Sequence, residues 1–346
     1  IFGGNSSIAN YIKWNKKMIV NYTSIKCELN DNLIKIFSNL YSFAALKSNG
    51  SVVTWGYSLA GGNSSIVYYL MGCNGREVIT NEISIKNLIS SGIINIFNTS
   101  SAFAALKSNG SVITWGNPNF GADSSLVASD ISSGVITVHS TKAAFAALKS
   151  NGSVITWGSP TCGGDYSLVA NLLSSGVISI TSTNKAFAAL KSNGSVITWG
   201  STDFGGNSSL VASSISSGII ALYSNNYAFA ALKSNRSIIT WGDPNYGGDS
   251  SNVLNKINNV VTIFSSQKAF AALKPDNSII TWGDFWIGGN TSNSNKNITY
   301  VYGGTNFSFI STEQQIPVCP TFISSLPGLL QISQYDISRN ICGYEY

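Results

Sequence analysis

The sequence predicts a mainly β protein made of six to seven copies of one repeat, each a three-stranded meander plus a short helix. Three observations carry this prediction. The segment FAALKSNGSVITWG recurs almost unchanged, most copies lie about 42 residues apart, and four copies hold an Asn-Gly pair between two apolar runs. A period of this length is found in propeller blades and in some helical repeats, and the local pattern decides between them.

The repeats are marked by tryptophans at Trp55, Trp115, Trp157, Trp199, Trp241 and Trp282. Successive tryptophans lie 60, 42, 42, 42 and 41 residues apart. The predicted repeats are 2–56, 57–116, 117–158, 159–200, 201–242, 243–283 and a partial seventh at 284–316. We expect residues 1–316 to form one repeat propeller that begins mid-repeat, followed by a divergent C-terminal tail at 317–346.

The third repeat shows how each copy is expected to fold. Val135–Ser140 is β-branched and predicts a first strand, and the short apolar run Ala144–Lys149 predicts a second. Asn151-Gly152 is a strong hairpin signal, for which we predict a type I′ turn with positive φ at both residues. Val154–Trp157 is then the third strand of an antiparallel meander.

The segment before each first strand has the start and stop signals of a helix. In the fourth repeat Asp165 is placed to cap the start and Gly176 to close the end. The residues between them form an apolar stripe of Leu168, Val169, Leu172 and Leu173. We predict a helix of two to three turns, with a fourth outer strand as the alternative. In the seventh repeat, Ile298–Tyr302 and Phe307–Ile310 are predicted to supply the first two strands.

The composition limits the classes of function. Only 10% of the 346 residues are charged, against roughly 25% in an ordinary domain, so the surface must consist mainly of neutral polar residues. The net charge is +5 and no run of Lys or Arg stands out, which argues against nucleic-acid binding. No stretch approaches the roughly 20 apolar residues of a membrane span. A neutral polar surface favours an extracellular or cell-surface location.

The cysteine positions predict two disulfides. None of the five cysteines lies in a Cys-x-x-Cys pair, which argues against a zinc site. Cys27 and Cys73 lie in long insertions at equivalent places of the first two repeats, so we predict that they pair. Cys319 and Cys342 flank the tail and form the second predicted pair. Cys162 replaces an aromatic residue of other copies and is predicted to be a buried thiol.

The motif from the FAAL strand to the paired glycines resembles the repeat of RCC1-like β-propellers. In the fourth repeat it is Phe187–Leu190, Asn193-Gly194, Trp199-Gly200 and Gly205-Gly206. The resemblance covers roughly residues 2–310 and is closer still to poorly characterised repeat proteins of protists and bacteria with FAAL…DGSVVTWG…YGGDSS units. It implies a circular arrangement of blades, with an open β-solenoid as the alternative. The repeats are shorter than usual for that family, and no site residue is carried over from it.

Aromatic and basic residues supply candidate ligand contacts. The repeated tryptophans are expected to pack blade against blade, whereas Trp14 and Trp286 are not required by the repeat and are candidates for stacking on a sugar. A lysine precedes every hairpin turn, at Lys47, Lys107, Lys149, Lys191, Lys233 and Lys274. In a closed ring these lysines would form a circle of positive charge suited to an acidic polysaccharide. The alternative is a set of solvated strand ends that block edge pairing.

Other polar residues have simpler interpretations. Asp123, Asp165 and Asp249 are expected to cap the predicted helices instead of binding calcium, because Asn63 and Asn207 replace them in other copies. His139 is the single histidine and lies in a strand where other copies have Ile180, Tyr223 or Phe264. No set of nucleophile, base and stabilising group can be named, and we predict no enzyme, metal or cofactor.

Asn-x-Ser/Thr sequons are abundant. Three of them lie at predicted hairpin tips, namely Asn109, Asn151 and Asn193. Four others lie outside the hairpins, namely Asn21, Asn98, Asn297 and Asn306. All seven are predicted glycosylation sites if the protein is secreted.

The sequence therefore predicts a non-enzymatic extracellular module, structural or adhesive, whose partner is a protein or another copy of itself. One alternative is a propeller lectin that binds glycans. The other is an intracellular RCC1-like regulator that binds a small GTPase.

Overall fold

The computed structural model describes residues 32–64 and 85–289, the single residue Leu29, and the backbone of two strands at 298–303 and 308–312. The chain divides into two compact units, Ile1–Pro160 and Thr161–Tyr346, called here the N-terminal and the C-terminal unit. Among the described residues, no helix has both the length and the apolar character needed to cross a bilayer.

The described residues of the N-terminal unit form three sheets of three strands. Their strands are β1 (Leu33–Ser38), β2 (Ser42–Lys47), β3 (Val52–Gly56), β4 (Ile93–Asn98), β5 (Ala102–Lys107), β6 (Val112–Gly116), β7 (Val135–Ser140), β8 (Ala144–Lys149) and β9 (Val154–Gly158). Each sheet is an antiparallel meander whose middle strand is the FAAL strand of its repeat.

The C-terminal unit repeats the same sheet three more times. Its strands are β10 (Val177–Ser182), β11 (Ala186–Lys191), β12 (Val196–Gly200), β13 (Ile219–Ser224), β14 (Ala228–Lys233), β15 (Ile238–Gly242), β16 (Thr262–Ser265), β17 (Ala269–Leu273) and β18 (Ile279–Gly283). β19 (Ile298–Gly303) and β20 (Ser308–Thr312) pair antiparallel, as predicted for the seventh repeat. The mainly β fold class, with the six three-stranded sheets that a six-bladed propeller requires, is confirmed. Closure into a ring stays a prediction.

The middle strands explain why the repeat is rich in alanine. Ala144, Phe145, Ala146 and Ala147 are all fully buried, so β8 is covered on both faces. Within each unit, one hydrophobic cluster joins one face of a sheet to the opposite face of the next sheet. Alanine allows the sheets to approach closely, while Phe145 fills the space that remains.

The predicted helices are present but much shorter than expected. They are 3-10 turns at Ser125–Val127, Ala170–Leu173, Ser209–Val211 and Ser251–Val253, with a four-residue α1 (Ile85–Leu88) in the second repeat. The apolar stripe that predicted two to three turns is not buried as a whole. Leu168 is 98% exposed, and of the four residues of the stripe only Leu173 is fully buried. A longer helix at this place would have no buried apolar face, and burial of such a face is what stabilises helices of this length in proteins. Within the described residues no sheet has a fourth strand.

The hairpin prediction was right in place and wrong in turn type. Gly152 has φ 77°, but Asn151 does not have a positive φ, so the turn is not type I′. Gly152 N donates to Lys149 O and closes a three-residue loop that ends in a left-handed glycine. The Asn151 side chain accepts from Ser153 N and Ser153 Oγ, and these bonds hold the asparagine itself out of the left-handed region.

Short 3-10 turns also follow the third strands. They lie at Ser58–Ala60, Pro118–Phe120, Pro160–Cys162, Thr202–Phe204, Pro244–Tyr246 and Phe285–Ile287. The glycine that follows each of the first five turns lies against the FAAL phenylalanine of the next repeat. These glycines are Gly61, Gly121, Gly163, Gly205 and Gly247.

Candidate binding surfaces

The repeated tryptophans are packing residues, as the sequence predicts. Trp157 is 5% exposed and stacks on Phe145, with ring centroids 5.4 Å apart. Its indole Nε1 donates to Gly121 O of the preceding repeat at 3.0 Å. The same bond recurs from Trp115, Trp199, Trp241 and Trp282 to Gly61, Gly163, Gly205 and Gly247. These tryptophans hold consecutive repeats together and are unavailable to a ligand.

The Gly-Gly-Asp/Asn-Ser-Ser loops have structural roles. Asp123, Asp165 and Asp249 each accept a hydrogen bond from the amide two residues later, and Asn207 does the same. These bonds close local turns that come before the 3-10 turns. The N-cap residues themselves, Ser124, Val169, Ser208 and Ser250, make no side-chain capping bond, so the predicted capping role is wrong. Within the described residues, no group of three or more His, Cys, Asp or Glu side chains could hold a metal ion.

The lysines before the hairpins are bound to the backbone. Lys149 Nζ donates to Asp130 O at 2.5 Å and Lys191 Nζ to Leu172 O at 2.6 Å. Lys107 Nζ donates to Leu88 O at 3.2 Å. Each of the three therefore satisfies a carbonyl just before the first strand of its own repeat. Binding of an acidic polysaccharide at these lysines stays a prediction. Its carboxylates would have to contact ammonium groups that already donate to backbone carbonyls.

Trp286 is the most exposed of the described tryptophans, at 88%. It lies in the turn Phe285–Ile287, and Phe285 beside it is 59% exposed. The Asp284 side chain accepts from the Trp286 amide, so the backbone of the turn is held while the indole remains in solvent. Trp14, the other candidate for stacking on a sugar, lies outside the described residues.

The predicted glycosylation sites differ in exposure. Asn109, Asn151 and Asn193 are exposed at hairpin tips, where a glycan has room. Asn98 lies half-buried at the end of β4. The sites Asn21, Asn297 and Asn306 lie outside the described residues, as do the four cysteines of the predicted disulfides, Cys27, Cys73, Cys319 and Cys342. Cys162 is buried as predicted, with 6% exposure.

His139 lies mostly buried in β7, and burial lowers the pKa of its imidazole to about 4. The strand register shows that the fourth-repeat counterpart of His139 was assigned wrongly from the sequence. His139 pairs with Ala146 and Thr181 pairs with Ala188, so the equivalent residue is Thr181 and not Ile180. A neutral, mostly buried histidine fits its interpretation as a tolerated strand residue.

One surface was missed by the sequence analysis, and we call it the lysine–aromatic ladder: Lys185, Phe204, Tyr227, Tyr246 and Lys268. Phe204 stacks on Tyr227 with centroids 5.2 Å apart, and Tyr227 lies 4.5 Å from Tyr246. Lys185 Nζ lies 5.0 Å from the Phe204 centroid, and Lys268 Nζ lies 4.7 Å from that of Tyr246. Aligning the residue before each FAAL strand would have shown the signal, because Lys185, Tyr227 and Lys268 share that position.

A second feature is a set of exposed apolar residues that recurs from repeat to repeat, called here the exposed apolar positions. One member is the second residue of the first strand, which is 54–58% exposed at Ile34, Ile94, Ile136, Ile178 and Ile220. The other is a leucine just before that strand, which is 97–100% exposed at Leu126, Leu168 and Leu210. The sequence pattern suggested a helix face for one of these leucines, Leu168, and the structure places all three in solvent.

Known proteins assign no family to this chain. No protein-family model matches the sequence, and no curated protein matches it. The similar solved structures include RCC1-like propeller proteins. Human WBSCR16 is 13% identical, with a TM-score of 0.45 over 82% of both chains. Prp20p from Saccharomyces cerevisiae, described with its binding to Gsp1p and histones, is 13% identical, with a TM-score of 0.40 over 80% of this chain and 76% of that chain.

A similar structure also comes from a plant receptor. The CRINKLY WD40 ectodomain of the Arabidopsis thaliana receptor kinase ACR4 is 15% identical, with a TM-score of 0.41 over 79% of this chain and 89% of that chain.

Proposed function

We propose that the protein is a non-enzymatic structural or adhesive module, extracellular or at the cell surface, that associates with further copies of itself. The observation that supports this proposal is the recurrence of the exposed apolar positions. Single exposed apolar residues are common on monomers, but here the same two positions are exposed in repeat after repeat. A surface that repeats with the period of the chain is complementary in spacing to the same surface on another copy.

The backbone geometry gives these residues a defined direction. The pairing of β7 with β8 shifts register between Val135 and Thr137, which makes Ile136 the extra residue of a β-bulge. Val135 is 4% exposed and Ile136 is 56% exposed, so the bulge turns the isoleucine away from the core. The same shift occurs at Ile94, Ile178 and Ile220. The exposure therefore follows from the backbone of every such repeat and not from one mobile side chain.

Leucine removal in the C-terminal unit tests the proposal. The double variant Leu168→Ser, Leu210→Ser should raise the dissociation constant for self-association at least about tenfold, since a buried leucine contributes about 1.5–3 kcal/mol. Light scattering over a concentration series measures the association. The thermal midpoint should not change, because both leucines are exposed in the monomer.

The sixth repeat provides the matched variant. Asn252 occupies the position of Leu210, so Asn252→Leu should strengthen association. A chain that remains monomeric at every concentration, or association that neither variant alters, would contradict the proposal.

The extracellular location is tested by intact mass, measured with and without deglycosylation and reduction. We expect disulfides Cys27–Cys73 and Cys319–Cys342 and glycans on some of the predicted sequons. Four reduced thiols at these cysteines and an unmodified mass would favour the intracellular alternative, a regulator that binds a small GTPase.

The exposure of Trp286 supports one alternative, a glycan-binding lectin. Quenching of Trp286 fluorescence by a neutral or acidic oligosaccharide, lost in Trp286→Ala, would favour it over self-association.

A further inference from the structure

The lysine–aromatic ladder is an addition to the repeat and not a requirement of it. The position of Lys185, Tyr227 and Lys268 is Ser101 in the second repeat and Ala143 in the third. Those repeats form the same three-stranded sheets with the same register. Small residues at this position are therefore compatible with the fold, and the stack in the C-terminal unit is not needed to form the sheets.

Backbone bonds hold the ladder in a fixed arrangement. Asn184 N donates to Asn226 O at 3.0 Å, and Asn226 N donates to Gln267 O at 3.1 Å. These two bonds join the three loops that carry Lys185, Tyr227 and Lys268. Side-chain hydrogen bonds also fix the turns that carry Phe204 and Tyr246. Thr183 Oγ1 donates to Phe204 O, and Asn225 Nδ2 donates to Tyr246 O. A surface ordered before binding loses less entropy when a partner docks.

The chemistry of the ladder favours carboxylates. Phe204 and Tyr227 cover each other at an interplanar angle of 24°, and the two lysines lie over the rings at the ends of the stack. The stacking therefore covers much of the ring faces, and the Lys185 and Lys268 ammonium groups lie over the rings at its two ends. Within the described residues, neither Lys185 nor Lys268 forms an ion pair. The ladder thus presents unneutralised positive charge beside tyrosines, the aromatic type that is enriched in protein interfaces.

We propose that the lysine–aromatic ladder is a docking site for an acidic protein segment, whose Asp and Glu carboxylates contact Lys185 and Lys268 and whose backbone lies along the tyrosine edges. A sugar chain fits less well, because stacking of a sugar ring needs a free aromatic face. The ladder is distinct from the exposed apolar positions, so this proposal does not depend on self-association.

The test uses the whole chain and a fluorescein-labelled peptide of Asp, Glu and Ser, with the matching Asn, Gln and Ser peptide as the uncharged probe. Fluorescence anisotropy should show binding of the acidic peptide only, weakened by added salt because exposed charges are screened. The variant Lys185→Gln, Lys268→Gln should weaken binding about tenfold. Lys142→Gln is the matched control, because Lys142 is an exposed lysine in the corresponding loop of the third repeat and has no ring beneath it.

A second variant separates docking from folding. Tyr227→Ala gives the fifth repeat the alanine that the third repeat has at position 143. The variant should therefore unfold at nearly the wild-type temperature but bind the peptide several-fold more weakly. The variant Leu168→Ser, Leu210→Ser should bind the peptide as the wild type does, so failure of self-association would leave this proposal standing.

Three results would overturn the proposal: no binding of the acidic peptide, equal losses in the Lys142→Gln control and the double lysine variant, or tighter ladder-dependent binding of polygalacturonate than of the peptide.

Discussion

At the scale of single residues, Trp199 shows how one side chain joins two repeats. It stacks on Phe187 at 5.2 Å and donates to Gly163 O at 3.1 Å, with only 4% of its surface exposed. The packing role could be predicted from the repeat, because a large aromatic residue at one recurring position is typical of a core. The carbonyl acceptor could not, since it depends on which backbone atom of the preceding repeat reaches the indole.

His139 should make the stability of the protein depend on pH. The pKa of its imidazole is about 4 in the folded state and 6.5 in the unfolded state, so the unfolded chain takes up the proton first as the pH falls. The histidine does not change stability above pH 6.5. Between that value and about pH 4 it should lower the free energy of unfolding progressively, by on the order of 3 kcal/mol in total.

The variant His139→Phe isolates this effect, because Phe97 and Phe264 occupy the same register position in other repeats. Urea unfolding at about pH 7.5 and about pH 4.5 should show a smaller loss of stability in the variant than in the wild type. Equal losses in both proteins would mean that His139 is not the group that titrates.

At the scale of elements, the strands were predictable and the helices were not. The β-branched first strand, the FAAL strand and the Thr-Trp-Gly strand lie where their periodicity and hairpin signals placed them. The helix was overestimated because Leu168 and Leu172 have helical spacing, although in the structure they are 98% and 51% exposed. The turn type was missed because Asn-Gly fits both a type I′ turn and a three-residue loop that ends in glycine.

The glycines that follow the 3-10 turns after the third strands explain why consecutive repeats can approach closely. A Cβ on Gly121, which has φ 97°, would lie 2.7 Å from Phe145 Cδ2. Gly121→Ala should therefore destabilise the protein by about 3 kcal/mol, from overpacking together with left-handed strain. Gly134→Ala is the control, because its φ is 74° but the nearest atom to its Cβ is Lys149 Cε at 3.4 Å, and it should cost only about 1 kcal/mol.

Urea unfolding of the two glycine variants measures the difference. If both alanines cost the same, the close contact between repeats would not be what selects glycine at position 121.

At the scale of the whole molecule, the sequence predicted the fold class better than the surfaces. The regular repeats predicted the three-stranded sheets that the structure contains. The surfaces depend on small departures from the repeat. A bulge exposes Ile136, and substitutions at the positions of Ser101 and Ala143 create the ladder in later repeats. Their effect on the surface could not be predicted from the sequence, because it depends on the strand register that brings particular side chains into contact.

Association of copies through the exposed apolar positions is tested most directly by methyl NMR of isoleucine over a concentration series. The methyl signals of Ile94, Ile136, Ile178 and Ile220 should shift as concentration rises, whereas those of the buried Ile131 and Ile215 should not. Exposed isoleucine signals that stay constant while other surface signals shift, or no shifts at any concentration, would contradict it.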